Sequence, residues 1–394
     1  MTSLHKRVLI CLSLLHLVGV SPWTWAQEEQ WLQYRYNREA SEIVSGISSH
    51  ALNFDNSPPS DLTVPVGLGH GVIYVQWKTP MAKDDFVWVA LGRSRAGGMI
   101  NRLVLDENGN GQLADDPVVK AYRAESQQSY FGPVKVLFRG DDGPIAYHVN
   151  FVNYDVADYQ HVFISSAGWY EGKVEIAGQE WTCTLVDHNT NGQFNDQSVN
   201  FSHADRISLA RSGHPDLRIM GRFIEVNGQL VDIEVARDGA FVVAEPAENV
   251  EVGRLQLPRG ITHFSAAGPQ GHFQRSEHLQ DIRLPIGHYR IDSWAIERKD
   301  AQGTRWKARG RSFDDRGLFE IRADQPASLE IGEPLISTLE VTQEDQTYRF
   351  NQSMIGNLGE DVTVYKNDGR APAPRLLIRN KAGSYNDTRS FEYG

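Results

Sequence analysis

The sequence predicts an all-β protein, with several small β-sandwich or β-barrel-like modules in tandem, and three observations lead there. Short runs rich in Val, Ile, Tyr, Phe and Trp are separated by Gly, Asp and Asn turns almost everywhere after residue 60, which is how strands joined by tight turns read. Helical periodicity is scarce, its best instance being Asn37 to Ser49. A ten-residue pattern occurs twice, at Asp106 to Asp115 and at Asp187 to Asp196, 81 positions apart. Each copy follows an apolar strand and precedes a valine twelve positions after its first aspartate (Val118, Val199), which suggests a duplicated β module.

Residues 1–26 read as a signal peptide. Lys6 and Arg7 precede an apolar run from Val8 to Val20, and Thr24-Trp25-Ala26 suits cleavage before Gln27. That run is too short for a membrane helix of about 20 residues, and no later stretch approaches that length. The mature chain is therefore expected to be secreted or periplasmic, with no transmembrane segment. Residues 27–60 follow as an N-terminal extension, opening on the extended stretch Trp31 to Tyr36. Residues 61–160 form a module with the first copy of the pattern and predicted strands at Gly71 to Trp77, Phe86 to Leu91, Val134 to Phe138 and Tyr147 to Val152. Residues 161–250 carry the second copy and a strand, turn, strand, turn, strand unit from Phe223 to Val243; its Asn227-Gly228 is a strong hairpin signal. Residues 251–336 read as a β-sandwich-like domain. Residues 337–394 read as a C-terminal β segment, with Ala371-Pro372-Ala373-Pro374 as an edge or linker.

The formal net charge is −11, and loss of Lys6 and Arg7 makes it two units more negative. This argues against a phosphate-binding surface for nucleic acid, because such a surface is basic. Cys11 lies in the signal, leaving Cys183 with no partner for an intramolecular disulfide. The alternation Trp181-Thr182-Cys183-Thr184-Leu185 predicts a buried structural thiol.

In the repeated pattern, oxygen donors stand at positions 1, 3 and 5: Asp106, Asn108 and Asn110 in one copy, Asp187, Asn189 and Asn191 in the other. Glycine at position 6 (Gly111, Gly192) permits a sharp reversal. Position 7 (Gln112, Gln193) offers a backbone carbonyl, position 8 (Leu113, Phe194) an apolar anchor, and position 10 (Asp115, Asp196) a returning carboxylate. Hard oxygen donors around one turn are what calcium selects. Five identities at identical spacing arise by chance only about once in 10⁴ at average residue usage. Crowding also favours a cation: Asp106, Asp115 and Asp116 are expected to converge, and like charges near 4 Å repel by roughly 4 kcal/mol at an effective dielectric of 20.

These loops resemble the EF-hand and dockerin class. That class closes its loop with a bidentate carboxylate at position 12, where this chain has Pro117 and Ser198. The closing ligand must come instead from Asp115 or Asp116, and from Asp196 or the later Asp205. No helices are predicted beside either loop, so hairpin-mounted calcium loops are expected, not an opening sensor. Over residues 60 to 250 the chain also resembles uncharacterised secreted bacterial proteins in which a strand leads into Asp-x-Asn-x-Asn-Gly-x-Phe/Leu-x-Asp and a further strand ends near Asp-Arg-hydrophobic, here Asp205-Arg206-Ile207. The resemblance implies secretion, a β fold and metal binding, but no reaction. Leu284 to Ile291 and Leu329 to Gly332 resemble strand entries of carboxypeptidase-regulatory or transthyretin-like sandwiches.

No catalytic motif appears. His-Glu-x-x-His and Gly-x-Ser-x-Gly are both absent. His263, His272, His278 and His288 cluster in sequence without ligand spacing. Trp169, Tyr170, Trp181, Trp294 and Trp306 are either sugar-stacking platforms or core residues. The expected role is thus a secreted calcium-binding β protein, structural or binding, at the envelope or outside the cell, with an extracellular polysaccharide or envelope protein as partner. The alternative is an exported carbohydrate-active or other hydrolytic enzyme whose paired carboxylates carry no motif.

Overall fold

A computed structural model describes residues 28–393, apart from Pro58, Ser126, Asp141, Asp142, Ala157, Asp158, residues 212–214 and His278. The segment read as a signal peptide lies outside the described residues, as does His278. The fold is all-β, with several modules in tandem, and among the described residues the single α-helix is one turn, Ala40–Ile43. The helical expectation for Asn37 to Ser49 thus holds for four residues only. Glu39 gives the helix no side-chain cap, Val44 is already extended, and Gly46 turns the chain with φ of +93°.

Four short strands come first: β1 (Gln30–Trp31), β2 (Gln33–Tyr36), β3 (His50–Leu52) and β4 (Phe54–Asp55). They do not form a unit of their own. The next strands, β5 (His70–Lys78), β6 (Phe86–Arg93), β7 (Arg102–Leu105) and β8 (Val119–Lys120), complete a five-stranded sheet with β4 at its edge. A second sheet has β9 (Arg123–Glu125), β10 (Gln128–Gly140), β11 (Gly143–Val156) and β12 (Tyr159–Ser166), with β3 at its edge. A third has β13 (Gly168–Ile176), β14 (Gln179–Val186), β15 (Arg206–Ala210) and β16 (Arg218–Ile219), with β2 at its edge. Then come β17 (Phe223–Val226), β18 (Gln229–Val235) and β19 (Phe241–Pro246), and β1 pairs with β19. The segment 28–55 therefore lays one strand on each of four sheets.

Alternation explains the packing of these sheets. Along β5, Ile73, Val75 and Trp77 are buried in one apolar cluster, which continues through Val89 of β6, Phe131 of β10, Val149 of β11, Cys183 of β14 and Ile233 of β18. The residues read as two modules, 61–160 and 161–250, share this core, and Leu32 from β2's flank joins it. At Asn227-Gly228 both residues have positive φ, +52° and +77°, the type I′ geometry that suits a two-residue hairpin.

The C-terminal half has its own apolar cluster, from Phe223 to Val362, with Trp294 and Tyr289 fully buried. Its strands are β20 (Val252–Gln256), β21 (Ile261–Gly268), β22 (Gly271–Arg275), β23 (Ile282–Pro285), β24 (Gly287–Lys299), β25 (Arg305–Arg311), β26 (Leu318–Ile321) and β27 (Ala327–Ser328). Beyond them lie β28 (Ile336–Glu344), β29 (Thr347–Ile355), β30 (Asp361–Lys366), β31 (Gly369–Arg370) and a closing hairpin of β32 (Arg375–Arg379) and β33 (Asn386–Ser390). A single parallel contact, Phe223 with Gly271, joins β17 to β22 and makes the two halves continuous in one long sheet. Among the described residues, no helix is long and apolar enough to cross a membrane.

Candidate metal centre

Both repeated segments are hairpin loops. The first connects β7 to β8, which pair through Leu103 and Val119; the second connects β14 to β15, which pair through Val186 and Arg206. Position 8 anchors each as expected, because Leu113 and Phe194 are buried. Position 6 turns with positive φ in both, +82° at Gly111 and +87° at Gly192. Position 4 is also left-handed in both, +69° at Gly109 and +56° at Thr190.

The hydrogen bonds of the two loops coincide position by position. The Asp106 carboxylate accepts the backbone N–H groups of Asn110 (3.1 Å) and Gly111 (2.9 Å); Asp187 accepts those of Asn191 (3.2 Å) and Gly192 (2.7 Å). The Asn108 and Asn189 amide oxygens accept the N–H of position 5, at 3.0 and 3.1 Å. The Asn110 and Asn191 oxygens accept the N–H of position 7, both at 2.8 Å. Finally, Asp115 Oδ2 accepts the Asn108 and Asn110 amide nitrogens (3.2 and 3.0 Å), and Asp196 Oδ2 accepts those of Asn189 and Asn191 (2.9 and 2.6 Å). Each loop is thus a cage of Asx-type turns folded around one face.

One more carboxylate completes each cage. Asp116 Oδ1 accepts the N–H of Glu107 at 3.1 Å. Asp205 Oδ1 accepts the N–H of His188, also at 3.1 Å, and its Oδ2 accepts that of Asp196 at 2.8 Å. Asp205 in the second loop therefore stands where Asp116 stands in the first, although it is supplied from a different distance along the chain.

One expectation needs correcting. A convergence of three carboxylates on one point is not seen: among the described residues no three His, Cys, Asp or Glu groups are gathered as a metal cluster. What converges is one carboxylate with two amides. The glutamine side chains are engaged elsewhere, which suits positions expected to offer only a backbone carbonyl. Gln112 bonds the 61–63 segment, donating to the Asp61 carbonyl (3.0 Å) and accepting from Thr63, while the Gln193 amide lies between Asp196 and Arg237. Their backbone carbonyls accept no hydrogen bond among the described residues, leaving both free as ligands.

Burial leaves the loop carboxylates short of solvent and partners. Asp116 Oδ2 is buried without a hydrogen-bond partner, and Asp187 and Asp205 are wholly buried. Burial, with Asp106 and Asp115 nearby, pushes the Asp116 carboxyl up to about 6. Burial likewise pushes Asp187 up to about 7. Asp205 is held well above the usual carboxylate range by burial and by the charges of Asp187 and Asp196. Carboxylates that resist ionising alone are stabilised as anions by a dication.

The second loop is also tied to distant strands, which local sequence reasoning missed. Tyr147 of β11 donates to Asp187 Oδ2 at 2.8 Å, Trp77 Nε1 of β5 to the Thr190 carbonyl at 2.7 Å, and Thr79 to the Asn191 carbonyl at 2.5 Å. Of the two readings open for the aromatics, the core reading holds for Trp169, Tyr170, Trp181 and Trp294, all of which are buried. His272 is buried too, bonded to Ser265 and the Ile219 N–H.

Beside the second loop, where the chain crosses from β3 to β4, lies a cleft of about 820 Å³. Phe54, Gln76, Lys78, Trp88, Asn189 and His203 are among its lining residues, and its lining holds one carboxylate, Asp55. Comparison of the chain with family models, with curated proteins and with solved structures gives no match in any of the three.

Proposed function

We propose that this protein is an exported calcium-binding β protein with a structural or binding role at the cell envelope or outside the cell. The observation that carries the reading is the coincidence of the two loops: the same donors, the same left-handed positions and the same hydrogen bonds recur around two different hairpins. Calcium would draw Asp106, Asp115, Asp116 and the Gln112 carbonyl together, with the Asn108 and Asn110 amides turned to present oxygen, although these groups do not converge without it. Asp187, Asp196, Asp205 and the Gln193 carbonyl, with Asn189 and Asn191, would do the same for a second ion. Bound calcium supplies positive charge that neutralises the buried carboxylates and locks the hairpins; it is structural. Two or three carboxylates with neutral amides match extracellular modules, for which dissociation constants run about 10⁻⁴–10⁻³ M.

The cleft supports a binder over an inert spacer, and its single carboxylate supports a binder over an exported glycosidase, which in the common mechanism needs two facing carboxylates. Calcium titration of the purified protein, with elemental analysis and thermal melts, tests the metal. At a hundredfold excess over its dissociation constant, calcium should stabilise the fold by about 2.7 kcal/mol. Asp115→Asn and Asp196→Asn should each weaken one site while leaving the other. Identical melts in calcium and chelator, together with unchanged titrations in both variants, would sink the reading.

A further inference from the structure

We infer that the cleft beside the second loop binds an acidic oligosaccharide. Tyr74, Gln76 and Lys78 alternate along β5 and so share one face of the sheet. The antiparallel register sets Gln76 opposite Trp88 and Lys78 opposite Phe86, which puts both rings on that face. Trp88 is only half-buried, and it offers flat apolar surface to the C–H face of a sugar ring. The side-chain amides of Gln76 and Asn53 bond to no other described residue, so they are free to meet hydroxyl groups.

Charge decides between a neutral and an acidic sugar. Lys78 makes no ion pair among the described residues, and His203 stands at the same cleft. The one carboxylate of the lining, Asp55, stands across from Tyr74 on the neighbouring strand, and its Oδ1 already accepts the Ser57 N–H at 2.8 Å. A free ammonium in a cleft of a chain with net charge −11 marks a place where a carboxylate of the ligand is welcome. The volume lies inside the roughly 300–1,000 Å³ range of ligand clefts, which suits a short oligosaccharide.

The proposal rests on the binding role argued above and not on the metal. Its test is calorimetric titration of the whole protein with hexagalacturonate, maltohexaose and hexaglutamate, each in calcium and again in chelator. Hexagalacturonate should bind and quench tryptophan fluorescence, and maltohexaose should bind at least about tenfold more weakly, as loss of one charge-assisted hydrogen bond implies. Lys78→Glu, at an exposed position, should weaken hexagalacturonate about tenfold or more without lowering the melting temperature. Trp88→Ala should remove the quenching; should that variant not fold, Gln76→Ala serves in its place and should weaken binding. No binding of hexagalacturonate, equal binding of maltohexaose, equal binding of hexaglutamate, or indifference to Lys78→Glu would each overturn the proposal. Binding that persists in chelator upholds it even if neither loop takes calcium.

Discussion

The two position-6 glycines share a backbone conformation and differ in surroundings, so they separate conformational cost from packing cost. A methyl group at Gly111 would meet nothing within 4 Å, whereas at Gly192 it would lie 2.9 Å from the Phe138 ring and 3.1 Å from Met81. Gly111→Ala should therefore lose about 1–2 kcal/mol for left-handed backbone alone. Gly192→Ala should lose a further 1–3 kcal/mol or so from overpacking. Urea denaturation of the two variants measures both, and equal losses would contradict the packing difference. Gly109 and Thr190 tell a related story. Thr190 holds the same left-handed conformation as Gly109 despite its branched side chain, and its hydroxyl accepts the Ser166 N–H at 3.1 Å. The need for glycine at position 6 was legible from spacing alone. That a threonine tolerates position 4 was not, because the bond that offsets its strain comes from another strand.

At the scale of the hairpin, the carboxylates give each loop a proton inventory. In chelator, folded Asp116 and Asp187 have carboxyls raised to about 6 and about 7, against an ordinary value of 3.8. The folded chain then keeps protons that the unfolded chain releases above about pH 4, and that advantage is lost as pH climbs through the folded values. His148, His188 and His272, lowered to about 4 by burial, pull stability the other way over the same window, so the quantity that isolates the loops is the gain in denaturation midpoint on adding calcium. That gain should grow from pH 4 to 7, because the ion must displace the protons these carboxylates keep. A calcium gain that shrinks over that window would contradict the burial of these groups. Sequence reasoning found this element well: the first aspartate, both asparagines, the anchoring residue and the hairpin mounting are all where the spacing put them. It left Asp205 as one of two options. The pairing of β14 with β15, which carries Asp205 back to the loop, spans a long connection of which only the far end, Asp205-Arg206-Ile207, carries a local pattern.

For the molecule as a whole, alternation and turn chemistry announced the strands, but not which strands share a sheet. The segment 28–55 reads as an extension because its strands are two to four residues long, and strands so short carry little periodic signal. In the fold they edge β5, β12, β13 and β19, and Leu32 enters the shared core. Deleting residues 28–55 should uncover four sheet edges at once and abolish cooperative thermal unfolding, with a gain in dye-binding apolar surface. A truncated protein that melts sharply at the original temperature would show these strands to be peripheral. The same stitching has a temporal consequence. The ribosome delivers these residues before the strands they edge, and Gln30 must wait for Val242, so everything between the two has to be made before β1 can dock. Contacts so remote in sequence slow folding, and the waiting sheets, with their borders bare, are when this chain would most need a chaperone.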